Sequence, residues 1–179
     1  MISCSCSLHR PRSLSRRGLI AAGAGTVGAA LAAGLLPGTA HAAHTEMLLL
    51  TCMDFRLENE VLAHMDGRNL RDKYDRVALA GASLAAVTKA YPEWGLAFWS
   101  HLDVALKLHE IKKVMVIDHR DCGAYRTILG AEAVATPEME LDVHRTTLQE
   151  VRRRIRTKFP QLDVELGLMG LDGAVLSIA

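Results

Sequence analysis

The sequence predicts an α/β fold with a mostly parallel central sheet of four to five strands flanked by helices. Three short apolar runs, at residues 47–51, 76–80 and 114–117, have the length and aliphatic character of buried strands. Two segments with helical periodicity, at 57–65 and 92–110, lie between them. This alternation of strand and helix is typical of a parallel sheet that is covered by helices on both faces.

The first half of the chain begins with the strand at 47–51, which ends directly before Cys52. The helix at 57–65 places Val61, Leu62 and Met65 on one side, and the strand at 76–80 follows. Small residues come next at 81–83, where the backbone is able to approach a ligand closely. The segment 84–91 is ambiguous, and Pro92 suits the first turn of a helix that runs to about Glu110.

The second half continues the same pattern and ends in a hairpin. A short helix is predicted at 124–129, and Thr136 and Pro137 are good start signals for a long helix that ends before Pro160. Clean alternation at 162–168 predicts a half-exposed strand. A turn at Asp172–Gly173 returns the chain as a last, antiparallel strand.

Residues 1–42 have the composition of a targeting segment, and we place the domain at residues 43–179. The segment contains four arginines and no acidic residue. Arg16 and Arg17 precede a moderately apolar stretch rich in Ala and Gly, and Ala40 and Ala42 flank a peptidase site. It resembles a twin-arginine signal peptide, which implies a protein that is periplasmic or otherwise exported. The alternative is a membrane anchor, which needs about 20 strongly apolar residues.

Composition limits the classes of partner. The chain has 179 residues, half of them hydrophobic, which suffices for one globular domain. With 21 Lys and Arg against 20 Asp and Glu, and without a basic stripe, nucleic acid is not an expected partner. After removal of the leader, no membrane association is expected either.

Cys52 and His119 follow predicted parallel strands, and Cys122 comes three residues after His119. If the two strands are neighbours, these side chains meet at one edge of the sheet. Two thiolates and one imidazole suit Zn²⁺ with a fourth position free, as in catalytic zinc sites. The alternative is a Cys52–Cys122 disulfide without metal, since Cys4 and Cys6 would leave with the leader.

Asp54 and Arg56 lie close to the first of these cysteines. A carboxylate two residues from a ligand is able to accept a hydrogen bond from water on the metal, and an arginine is able to hold that carboxylate ionised. His119 is followed by Arg120, for which the sequence offers no role. His144 is expected at the edge of the core or at the surface.

The motifs Cys-x-Asp-x-Arg at 52–56 and His-x-x-Cys-Gly at 119–123 together resemble the two signatures of the β-class carbonic anhydrases. The resemblance covers residues 47–179. It implies Zn²⁺ bound by Cys52, His119 and Cys122, with Asp54 and Arg56 as a catalytic dyad. It also implies a homodimer or higher homo-oligomer, as is usual in that family.

The implied activity is the reversible hydration of CO₂ to bicarbonate by hydroxide on zinc. Two alternatives remain open from the sequence. The same zinc site serves hydrolysis of carbonyl sulfide or carbon disulfide in relatives of this fold. The protein could instead bind zinc without catalysis, with Asp54 closing the site as a fourth ligand.

Overall fold

One five-stranded sheet forms the centre of residues 45–179, the part of the chain that the computed structural model describes. The strands are β1 (Met47–Thr51), β2 (Tyr74–Ala78), β3 (Lys113–His119), β4 (Asp163–Met169) and β5 (Val175–Ser177). Their order is β2-β1-β3-β4-β5; the first four are parallel, and β5 runs antiparallel to β4. The predicted fold class is thereby confirmed. The predicted leader at residues 1–42 lies outside the described residues and stays a prediction.

Five helices cover the sheet. They are α1 (Glu58–Gly67), α2 (Ser83–Val87), α3 (Pro92–His109), α4 (Gly123–Leu129) and α5 (Pro137–Lys158). Helix α5 begins where the sequence predicts, because the Thr136 hydroxyl accepts a hydrogen bond from the Met139 N–H and Pro137 occupies the first turn. The ambiguous segment 84–91 contains most of α2. Within residues 45–179, every helix is too short or too polar to cross a bilayer.

The sheet has an apolar layer on each face, and β1 contributes to both. Leu48 and Leu50 pack into the layer formed with α2, α3 and α5, whereas Met47 and Leu49 pack into the layer formed with α1. Successive side chains of a strand point to opposite faces, so a strand covered on both sides is apolar throughout. This explains why the Met-Leu-Leu-Leu run was recognisable as a central strand.

Three strands differ in detail from the predicted ones. β2 begins and ends two residues earlier, because the chain turns out of the sheet at Gly81, whose φ is +76°. β3 extends to His119, because Asp118 and His119 still pair with β4. The predicted half-exposed strand, β4, is buried over most of its length, because Val164, Leu166 and Leu168 pack into the layer formed with α5 and Met169 packs into the layer formed with α1.

The topology brings the two candidate motifs together. β1 and β3 are neighbours and run parallel, with Thr51 opposite Ile117. Their carboxyl ends therefore lie at the same edge of the sheet, where open α/β sheets bind ligands. Cys52 follows β1 directly, and His119 is the last residue of β3.

Candidate metal centre

Cys52, His119 and Cys122 converge at this edge. Their ligand atoms all lie within 4.8 Å of one another. Cys52 is held by the end of β1, His119 by the end of β3, and Cys122 precedes the first turn of α4. Three different elements thus each supply one ligand, so the spacing depends on strand pairing and helix packing.

The hydrogen bonds of His119 leave one ring nitrogen available. Its Nδ1 lies 2.8 Å from the Arg120 carbonyl oxygen, which only accepts, so we assign the ring proton to Nδ1. Nε2 then carries a lone pair, and it is buried without a hydrogen-bond partner among the described residues. Buried polar atoms are normally satisfied, and an imidazole nitrogen beside two sulfurs is the donor set that Zn²⁺ takes. The residues present therefore fit a metal ion.

The two cysteines are free thiols, so they do not form the disulfide that the sequence left open. The Cys122 thiol donates a hydrogen bond to the Cys52 sulfur, which lowers the pKa of Cys52 despite its burial and raises the pKa of Cys122. The pair therefore loses its first proton easily and holds the remaining one, which the two sulfurs share. A divalent cation replaces such a shared proton, because thiolates are the form that binds metals.

The loop after β2 supports the first ligand. The Gly81 N–H donates a hydrogen bond to the Cys52 Sγ at 3.3 Å. A Cβ at Gly81 would lie 3.2 Å from the Ala124 Cβ and 3.3 Å from the Leu84 Cβ, and the φ of +76° disfavours any side chain. The small residues at 81–83 thus let the backbone approach the Cys52 sulfur closely, as the sequence predicts.

Asp54 and Arg56 form a bidentate ion pair beside the cluster. Arg56 Nε donates to Asp54 Oδ1 at 2.9 Å, and Arg56 Nη2 donates to Asp54 Oδ2 at 2.8 Å. The hydrogen bonds from Arg56 lower the pKa of Asp54 to about 2, so the carboxylate is ionised at neutral pH. Asp54 Oδ2 lies 3.8 Å from His119 Nε2. The carboxylate therefore stands next to the ligand cluster while both of its oxygens are held by arginine.

A buried polar cluster behind the ligands was missed by sequence reasoning. Asp118 Oδ2 accepts hydrogen bonds from the Ser83 hydroxyl at 2.6 Å, the Tyr125 hydroxyl at 2.7 Å and His144 Nδ1 at 2.8 Å. Asp118 Oδ1 accepts the Ser83 N–H at 2.9 Å. Burial and the Asp118 charge raise the pKa of Tyr125 well above its ordinary value. His144, expected at the core edge or surface, is fully buried.

Asp118 thereby joins four parts of the site. It immediately precedes His119 in β3, and its partners come from α2, α4 and α5. An acid at the end of a Val-Met-Val-Ile run was the one signal in the sequence, because a carboxylate in a buried strand needs several donors. The sequence could not identify those donors.

Solved structures share this fold. The β-carbonic anhydrase CafD of Aspergillus fumigatus superimposes with a TM-score of 0.54 at 12% identity, covering 75% of this chain and 90% of that one. One of two tetrameric β-carbonic anhydrases of Sordaria macrospora gives 0.52 at 11% identity, covering 76% and 82%. The fold is thus that of the β-carbonic anhydrases, with a Cys–His–Cys cluster at its strand ends that could bind a metal.

Sequence relationships give the family. Residues 42–168 match the family described as "Putative carbonic anhydrase". An uncharacterized protein of Rickettsia bellii is 42% identical over 131 residues, which are 73% of this chain and 80% of that protein. An uncharacterized protein of Rickettsia conorii is 43% identical over 131 residues, 73% of this chain and 70% of that protein. The chain belongs to this carbonic anhydrase family.

Proposed function

We propose that the protein is a zinc-dependent carbonic anhydrase that interconverts CO₂ and bicarbonate. The observation that carries this proposal is the unpartnered His119 Nε2 beside two thiols, with the ionised Asp54 at 3.8 Å. Membership of the carbonic anhydrase family supports it independently.

Cys52, His119 and Cys122 would hold the ion. Three protein ligands leave a fourth tetrahedral position free, which distinguishes catalytic from structural zinc sites. When bound, Zn²⁺ supplies Lewis acidity that brings the pKa of a water molecule close to 7. Two thiolates donate much charge to the ion and weaken that effect, so a nearby hydrogen-bond acceptor is needed to compensate.

Asp54 supplies that acceptor. As an ionised carboxylate it accepts a hydrogen bond from the attacking water and turns the lone pair of the water oxygen towards CO₂. A C–O bond forms between that oxygen and the carbon of CO₂, and the proton released passes to solvent. Arg56 holds both Asp54 oxygens and so keeps the carboxylate off the ligand cluster. This arrangement favours a catalytic site, with its fourth position free, over a site in which Asp54 binds the metal as the fourth ligand.

Asp54→Asn is expected to keep zinc at about one equivalent and to lower kcat about a hundredfold or more, a typical loss for a proton-handling group. The amide cannot accept as strongly as the carboxylate and presents N–H groups to the water. Stopped-flow CO₂ hydration and metal analysis measure the two quantities. Asp72→Asn is the matched control, since Asp72 is exposed and has a φ of 59°, which asparagine also tolerates. Unchanged turnover in Asp54→Asn would refute the assigned role.

The substrate is tested in parallel on the wild-type protein. CO₂ hydration is compared with sulfide release from carbonyl sulfide and from carbon disulfide at equal enzyme concentration. The proposal requires CO₂ hydration to be the fastest of the three reactions. Faster sulfide release would assign the site to a hydrolase, and a zinc-loaded protein inactive on all three would be a zinc binder.

Two apolar side chains next to the dyad support a homodimer. Phe55 is 85% exposed and Met53 is 65% exposed, and both flank Asp54. Large apolar groups so placed favour contact with a second copy of the chain. Phe55→Glu is expected to shift the protein to monomer at micromolar concentration in light scattering coupled to gel filtration. Exposed Leu96→Glu, on α3, is the control and is expected to leave the dimer intact. A wild-type monomer would contradict the proposal.

A further inference from the structure

Arg120 lies between two ligands and is directed towards helix α5. Its Nη1 donates to the Pro137 carbonyl oxygen at 2.7 Å and to Glu140 Oε2 at 3.0 Å. Glu140 is in the first turn of α5, where a carboxylate is also favoured by the helix dipole. Arg120 therefore ties the loop between His119 and Cys122 to the start of α5 and does not enter the ligand cluster.

The same Glu140 carboxylate contacts the next residue of the loop. Its Oε1 accepts the Asp121 N–H at 2.5 Å, so the two oxygens of one side chain hold two consecutive residues. The Glu140 side chain is only 13% exposed. Asp121 has a φ of 55°, a left-handed conformation that is strained for a residue other than glycine. Glu140 thus stabilises a strained backbone position between His119 and Cys122.

In this conformation Asp121 presents two acceptors to Arg56. Arg56 Nη1 donates to Asp121 Oδ2 at 2.9 Å, and Arg56 Nη2 donates to the Asp121 carbonyl oxygen at 3.0 Å. The same guanidinium holds Asp54 through Nε and Nη2. Arg56 is thus fixed from two sides, by Asp54 two residues before it and by Asp121 65 residues after it.

We propose that Glu140 is a positioning residue for the Asp54–Arg56 dyad, acting through Asp121, with Arg120 as its counter-charge. The contacts form one chain: Glu140 holds the Asp121 backbone, Asp121 fixes Arg56, and Arg56 orients Asp54. Arg126, whose Nη2 lies 3.6 Å from Asp121 Oδ1, adds a weaker contact to the same carboxylate. The catalytic consequence rests on the proposed function, whereas the positioning itself is a property of the fold.

Two variants of Glu140 test this. Glu140→Ala removes both contacts, and Glu140→Gln keeps a carbonyl oxygen for the Asp121 N–H but loses the charge that faces Arg120. The readouts are the Arg56 Nε–Hε NMR signal, zinc content, and kcat and KM for CO₂ hydration. Glu138→Ala is the matched control, because Glu138 is exposed in the same helical turn.

We expect Glu140→Ala to keep one equivalent of zinc, to broaden or lose the Arg56 signal, and to lower kcat about tenfold with little change in KM. Glu140→Gln should recover most of the signal and of kcat, and Glu138→Ala should match the wild type. Asp121→Asn should also lower kcat. Combining it with Glu140→Ala should lower kcat little further, because the two residues act through the same series of contacts.

An unchanged Arg56 signal in Glu140→Ala, or additive losses in the double variant, would overturn the proposal. If Glu140→Ala fails to fold, Asp121→Asn carries the test: loss of the Arg56 signal and of kcat in that variant supports the proposal, and wild-type values overturn it. If the wild-type protein hydrates no CO₂, the proposed function fails. The Arg56 signal still decides the positioning role in that case.

Discussion

Cys122→Ser is expected to reduce bound zinc from about one equivalent per chain to below about a tenth and to abolish CO₂ hydration. Loss of a supporting group around a zinc ligand already costs 10–100-fold in affinity, and loss of a ligand should cost more. A serine hydroxyl stays protonated at neutral pH and is a poor zinc ligand, whereas the thiolate binds strongly. The fold should persist, because serine fits the space of cysteine.

Metal analysis after purification under reducing conditions measures the effect, and circular dichroism confirms folding. The control replaces Cys4 and Cys6 with serine in the full chain; we expect zinc content and activity to be unchanged. A Cys122→Ser protein that retains zinc and turnover would remove Cys122 from the ligand set. Wild-type protein that lacks zinc and carries an oxidised Cys52–Cys122 pair would restore the disulfide alternative.

Asp118→Ala is expected to lower the free energy of unfolding by ~3–5 kcal/mol, the usual cost of removing one partner from a buried charged cluster. The change removes the acceptor that the Ser83 hydroxyl, the Tyr125 hydroxyl and the His144 ring share. Each of these donors then stays buried without the Asp118 carboxylate. Unsatisfied buried donors cost far more than a lost surface contact. Because Asp118 adjoins His119, zinc affinity should fall as well.

Urea denaturation of the metal-free protein measures the stability effect without a contribution from zinc binding. Asp163→Ala, at the exposed start of β4, is the control and should change stability by less than about 0.5 kcal/mol. Asp118→Asn should fall between the wild type and Asp118→Ala, because the amide oxygen still accepts. A loss below about 1 kcal/mol in Asp118→Ala would show that the cluster adds little to stability.

Sequence patterns were most reliable where one strong local signal acted alone. The run at Met47–Thr51 is buried on both faces, so its apolar character alone marked a central strand. Thr136 and Pro137 marked the start of α5 through capping chemistry that operates within one turn. The predicted position of β2 was wrong by two residues, because β2 is a half-buried edge strand in which Tyr74 and Asp75 carry no apolar pattern.

The Cys52–His119–Cys122 cluster that could bind a metal was predictable from the sequence, because each candidate ligand follows a recognisable strand or lies in a short motif. Cys52 and His119 needed only the assumption that β1 and β3 are neighbours, which the sheet order bears out. Arg120 is the opposite case. It lies inside the motif, yet its role depends on Glu140, which is 20 residues away on another element.

The sequence by itself determined the fold class, the strand ends that carry chemistry, and the types of residue available as ligands and acceptors. These follow from hydrophobic periodicity and from the side-chain chemistry of adjacent residues, both of which are local. Only the tertiary structure decided that His119 Nε2 is left without a partner, that Asp118 collects three side-chain donors, and that Glu140 reaches Asp121. Such contacts join residues distant in the chain, and their geometry depends on how helices pack against the sheet, which no local pattern encodes.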